Sequence, residues 1–117
     1  MRAVGSSWED AAAAYLADAG LEPLARNFTC RHGEIDLIMR ERDCVVFVEV
    51  RFRRSAGHGD GIASVGAAKR AKLRRAAAVF LQAHPALTDA PCRFDVVACR
   101  GTRAQPAFEW IRAAFEE

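Results

Sequence analysis

Residues 33–53, GEIDLIMRERDCVVFVEVRFR, constrain the fold more than any other stretch of the chain. Two apolar runs flank a charged turn and read as the arms of an antiparallel hairpin. Each arm nevertheless carries an acid inside its apolar run, Asp36 in the first and Glu49 in the second. Side chains alternate along a strand, so Glu34, Asp36 and Ile38 share one face, as do Val45, Phe47, Glu49, Arg51 and Arg53. With Arg42-Asp43 as a two-residue turn, Asp36 falls opposite Glu49 and Ile38 opposite Phe47. Directly opposed residues have Cβ atoms roughly 4.5–5.5 Å apart. A two-residue slip keeps both acids on one face, whereas a one-residue slip separates them.

Two like charges facing each other on a sheet are destabilising, and buried carboxylates need a partner. Arg51, two residues beyond Glu49 on the same face, can offset them as an ion pair. A divalent cation can do the same. Two carboxylates, a backbone carbonyl and several waters suit Mg²⁺, which keeps much of its hydration. Such an ion lowers the pKa of a bound water and neutralises phosphate charge. Spacing alone leaves both solutions open.

A chain of 117 residues amounts to one domain. Glu9 and Asp10 occupy the place of a signal-peptide apolar core, and no run approaches a membrane span. The four cysteines, Cys30, Cys44, Cys92 and Cys99, form no CxxC pair, which fits separate thiols in a reducing cytoplasm. Cys30-Arg31-His32 is half a metal site with no second half in the sequence. The formal net charge is only +2, but its distribution is uneven. Between residues 51 and 75 lie Arg51, Arg53, Arg54, Lys69, Arg70, Lys72, Arg74 and Arg75 against one acid, Asp60. That segment is +7 and the remainder −5, the asymmetry of a surface for a polyanion or of one solvated helix face.

SWEDAAAAYLADAG predicts a first helix capped by Ser7, with Asp10 at its third position and Gly20 as its stop. Glu9 shares the face that carries Leu16, or else is an exposed first-turn acid. LARNFTCR (24–31) predicts a strand before the hairpin, and RSAGHGDG (54–61) a glycine-rich loop bearing His58 and Asp60. A second helix follows from about 63 to 83. It places Ile62, Val65, Lys69, Leu73, Ala76 and Phe80 on one face, Lys69 being the odd member. CRFDVVAC (92–99) and AFEWI (107–111) predict strands, and RAAFEE a terminal turn or helix. Asp95 shares a face with Arg93 and Val97, where it either pairs with a base or nears the acid site. The order describes an α/β domain, a mixed β-sheet flanked by helices on both faces.

Asp36, a gap of twelve residues and Glu49-Val50-Arg51 resemble the D…ExK signature of the PD-(D/E)XK nucleases. More closely, the chain resembles the YraN family of small bacterial proteins. The matching residues are Glu9, Ala12, Tyr15-Leu16, Gly20, Asn27, GEIDLI, FVEVR, Lys69, Leu73, Phe80-Leu81, RFDVV and WIRAAF, which span nearly the whole chain. The resemblance implies one restriction-endonuclease-like domain over residues 1–117, similar to Holliday-junction resolvases. It also implies that Glu9, Asp36 and Glu49 surround a metal, Mg²⁺ or Mn²⁺. The motif lysine is Arg51 here. Arginine stays charged and cannot act as a general base, though it can hold a phosphate or orient a water. Lys69 either supplies the missing amine or snorkels outward past the core.

The expectation is therefore a cytoplasmic, metal-dependent nuclease acting on DNA, with Glu9, Asp36, Glu49, Arg51 and Lys69 in its site. A module that binds nucleic acid but has lost catalysis at Arg51, and an interaction protein with a purely structural acid pair, are the alternatives. Phe, Trp and Tyr do not interleave with the basic helix, which favours a surface reading duplex or branched DNA backbones over a stacking platform. Resolvases of similar fold work as symmetric dimers, so a homodimer is expected by analogy.

Overall fold

The structure is a computed structural model. It describes residues 4–53 and 65–115, with side chains in the first helix from Trp8 onward. Arg54, His58, Asp60 and Ile62 lie outside the described residues. The elements run α1 (Val4–Asp18), β1 (Glu22–Cys30), β2 (Gly33–Glu41), β3 (Cys44–Phe52), α2 (Ala67–Gln82), a 3₁₀ turn at Pro85–Leu87, β4 (Cys92–Gly101) and β5 (Pro106–Phe115).

The five strands form one mixed sheet in the order β1-β2-β3-β4-β5. Only β3 and β4 are parallel. Parallel neighbours need a crossover, and α2 supplies it. The near-continuous apolar run of β3 follows from its central place. Val45 and Phe47 belong to one apolar cluster with Leu73, Ala76, Ala77 and Phe80 of α2. Val46 and Val48 belong to the other, with Trp8, Ala12 and Leu16 of α1. One helix thus covers each face of the sheet, and Glu49 continues the α2-side row of β3.

The hairpin register is the one its turn predicts: Leu37 pairs with Val48 and Ile38 with Phe47. Arg42 takes a left-handed φ of 58° to make the turn. The first helix starts at Val4, so Ser7 lies inside its first turn and is not its cap, and Asp10 is beyond that turn. The end at Gly20 is as expected. Gly20 has φ 105°, its N–H donates to the Ala17 carbonyl, and that of Leu21 donates to the Leu16 carbonyl. This is a Schellman closure, and Leu16 and Leu21 meet in one cluster.

RAAFEE departs from expectation, because β5 continues as strand through Phe115. The pairing shifts between Phe94–Phe115 and Val96–Ile111, a bulge that puts Ala113 at φ 49°. Its alanines favour helix. Tertiary partners override that preference: the Ala113 N–H donates to Asp95 Oδ1 at 2.9 Å, and Arg112 forks onto Glu41 at 2.9 and 3.1 Å.

Candidate functional site

The ladder between β2 and β3 ends at Leu37–Val48. A regular antiparallel continuation would send the Val50 N–H to the Ile35 carbonyl. Instead it donates to Asp36 Oδ2 at 2.8 Å. The strands therefore part here, and the Asp36 carboxylate stands in for a backbone acceptor. Burial, then the Glu49 charge, push the Asp36 carboxyl up to about 7, with Glu9 and Glu34 adding to the rise and the Val50 hydrogen bond opposing it.

Glu49 is 3% exposed. Its Oε2 receives Lys69 Nζ at 3.2 Å and Arg51 Nη1 at 3.4 Å. Its Oε1 is buried without a hydrogen-bond partner. An unpaired buried carboxylate oxygen is costly, roughly 1–3 kcal/mol or more. Lys69 stands in the first turn of α2, where the helix passes beyond the core and meets the end of β3. It is 43% exposed, yet its amine turns onto Glu49 rather than away from it.

Glu9 comes from α1 on the other side. Its Oε1 accepts from Asn27 Nδ2 at 2.7 Å, and the same amide donates to Glu34 Oε2 at 2.8 Å. Asn27 holds a left-handed φ of 51° in β1, a conformation that asparagine tolerates. It was legible only as a resemblance residue; its role as the link between two carboxylates comes from the packing of α1 on β1. Together Trp8, Glu9, Asp36, Glu49, Val50, Arg51, Phe52 and Lys69 line an open cleft of about 500 Å³.

The cleft so gathers the five residues expected of a catalytic site. Among the described residues, no three His, Cys, Asp or Glu side chains converge into a ready-made metal cage. The orphaned Glu49 oxygen and the burial and repulsion that disfavour the Asp36 charge nevertheless fit a cation that keeps most of its water ligands. Asp36 and Glu49 could hold it; Glu9 lines the same cleft with its Oε1 engaged by Asn27.

The model of uncharacterised protein family UPF0102 matches residues 8–99 of this chain, which include every cleft residue. The chain belongs to the UPF0102 family. A UPF0102 protein of Stutzerimonas stutzeri (strain A1501) is 49% identical over 112 residues, 96% of this chain and 93% of that protein. One from Xanthomonas campestris pv. campestris (strain B100) is 53% identical over 111 residues, covering 95% of this chain and 89% of its own length. One from Nitrosomonas europaea is 51% identical over 113 residues, with 97% and 93% covered. This is the YraN-like family that the sequence resembles.

The basic segment of this UPF0102 chain is not one surface. Arg51 and Lys69 face the cleft. Arg53 is mostly buried and reaches Glu109 at 3.7 Å. Arg70 donates to the Val65 carbonyl at 2.8 Å and lies over the Phe115 ring. Lys72, Arg74 and Arg75 are exposed on α2. Lys72 flanks the β1–β2 turn near Gly33, and Arg74 borders a groove beside Cys92 and Phe94 on the other flank.

Asp95 resolves to the first of its two readings. It is fully buried, accepts from Arg93 Nε at 3.0 and 3.2 Å and from Trp110 Nε1 at 2.9 Å, and is not part of the cleft lining. Arg93 also pairs with Glu41 at 2.8 Å. Hydrogen bonds from Arg112 and Arg93 hold the Glu41 carboxyl down at about 2. All four cysteines are free thiols. Among the described residues no helix is long and apolar enough to cross a membrane.

Proposed function

We propose that this chain is a metal-dependent nuclease of the PD-(D/E)XK type acting on DNA, with its site in the cleft of Glu9, Asp36, Glu49, Arg51 and Lys69. The observation that carries the reading is Glu49, a buried carboxylate with one oxygen unpartnered and the other shared by two cations. The element order and the mixed sheet support a restriction-endonuclease-like fold.

Asp36 and Glu49 would hold Mg²⁺ or Mn²⁺, with Glu9 joining from α1. When bound, the ion supplies a water of lowered pKa and charge neutralisation at the phosphate. Asp36 is kept in place by the Val50 N–H, so its free oxygen is aimed without a search through rotamers. Lys69 and Arg51 orient the Glu49 carboxylate and offer N–H donors to the phosphate oxygens, where negative charge grows as the nucleophile adds. The amine that the motif carries on β3 is thereby supplied from α2.

Calorimetric titration with Mn²⁺ and cleavage assays on duplex, single-stranded and branched DNA test the reading. Wild type should bind the ion and cut at least one substrate, and Glu49→Gln should do neither. Lys69→Ala should bind the ion yet cut about 10²-fold more slowly, the loss expected for one donor to developing charge. No ion uptake and no cleavage by folded wild type would refute the proposal. A second reading is favoured by Arg51 in the lysine position: a nucleic-acid-binding module that has lost catalysis. There, wild type binds metal and DNA without cutting, and Arg51→Lys gains cleavage.

A further inference from the structure

The cleft has a second kind of wall. Beside the acids stand Trp8 of α1 and Phe52 at the end of β3, their ring centroids 5.0 Å apart and their planes tilted by 39°. Trp8 is buried in the α1-side cluster and is fixed by it. Phe52 remains 50% exposed, the barest large apolar side chain among the described residues. A phenyl ring left open at a cleft mouth forgoes much of the stabilisation its burial would give. It is adjacent in sequence to Arg51, and Lys69 shares the same cleft. A flat apolar face next to two cations matches a ligand that carries a flat ring close to an anion.

We infer that the exposed Phe52 ring, backed by the buried Trp8, is a stacking platform for an unpaired base of a DNA strand whose phosphate lies against Lys69 and Arg51. The substrate class is then DNA with single-stranded or branched elements. The inference rests on the proposed nucleic-acid partner, and does not require the metal or the cleavage step. Within a duplex each base is covered above and below by its neighbours, so an aromatic face can take only a base that has left the stack. A hydrated cation has no use for the ring, and a duplex read through its backbone has none either. Stacking is tolerant of base identity, so the platform selects for lack of pairing and not for sequence. The basic helix contributes no aromatic to it; α1 and β3 meet to build it.

Fluorescence anisotropy of the full chain, in the presence of a chelator, provides the test. Three labelled probes are compared: a flush duplex, the same duplex with an unpaired tract, and the same tract made of abasic nucleotides. Wild type should bind the base-bearing tract about tenfold more tightly than the abasic one. Phe52→Leu, which keeps an apolar side chain but removes the ring, should lose that difference and leave flush-duplex affinity unchanged. Phe52→Trp should retain it. Thermal unfolding checks that Phe52→Leu is folded, and the abasic comparison stands on wild type alone if it is not. Equal wild-type affinity for the two tracts, absence of DNA binding, or an undiminished preference in folded Phe52→Leu would overturn the platform. Base-dependent binding by a chain that takes up no Mn²⁺ and cuts nothing would support the platform and end the nuclease proposal. Cleavage of flush duplex by a chain indifferent to the unpaired bases would do the reverse.

Discussion

Asp36→Asn should be more stable than wild type at pH 8 in the absence of divalent cations, by as much as about 4 kcal/mol. Burial and the Glu49 charge raise the folded-state pKa of Asp36 from an ordinary value of 3.8 to about 7. The fold therefore favours the protonated acid. Its contribution is fully present below pH 4 and is lost as pH rises toward 7, after which the deficit is constant. Asparagine is neutral throughout and still offers an oxygen to the Val50 N–H. The stability difference between variant and wild type should thus be near zero at pH 4, grow to pH 7, and level off above it. Effects of groups that do not interact with Asp36, including acid loss at Glu41, cancel between the two proteins, whereas Glu49, Glu9 and Glu34 respond to the loss of its charge and form part of the measured difference. Urea unfolding across this range measures the difference. A gap that does not change with pH would show that Asp36 is not held against its charge. Mn²⁺ added at pH 8 should close the gap by stabilising wild type alone, since a ligand that binds only the folded state adds to stability.

Asp95→Ala should destabilise the chain by roughly 3–5 kcal/mol, the usual cost of removing one side of a buried charge pair. Three donors lose their acceptor together: Arg93 Nε, Trp110 Nε1 and the Ala113 N–H. Two of them belong to β5, so this one side chain ties the last strand to the sheet across the bulge. A domain of this size has about 5–15 kcal/mol in total, so the loss is a large fraction of it. Urea unfolding gives the magnitude, and Trp110 emission in a Trp8→Phe background, applied to both proteins, reports on β5. A loss under about 1 kcal/mol would mean that water replaces the carboxylate and that the network adds little. Arg93→Lys should be milder, because Trp110 and Ala113 keep their acceptor.

Much of the site was legible because its key spacing is local. A two-residue turn fixes the register of the residues beside it, so the pairs from Glu41–Cys44 to Leu37–Val48 followed from counting. The counted Asp36–Glu49 pair did not form: the ladder ends one residue short of it, and Ile35 packs with Ile38 instead of with Leu37. The periodicity of α2 likewise identified Leu73, Ala76 and Phe80 as core. The same counting could not tell whether Lys69, on that inward face, meets apolar side chains or solvent. Nor could it find that the ladder stops at Leu37–Val48 and leaves the Val50 N–H to Asp36.

By itself, then, the sequence determined the α/β element order, the hairpin register, the stop of α1 at Gly20 and the two acids in the paired arms. These rest on turn length, side-chain period and backbone φ, which act over a few covalent bonds. Tertiary structure alone decided that Lys69 and Arg51 share one oxygen of Glu49, and that Asn27 ties Glu9 to Glu34. It also decided that Trp8 meets Phe52 and that Asp95 draws RAAF into a bulged strand instead of a helix. Each of those contacts joins elements far apart in the chain. Whether they meet depends on how α1 and α2 seat on opposite faces of the sheet, and the free energy of that packing outweighs the local preference of any one segment.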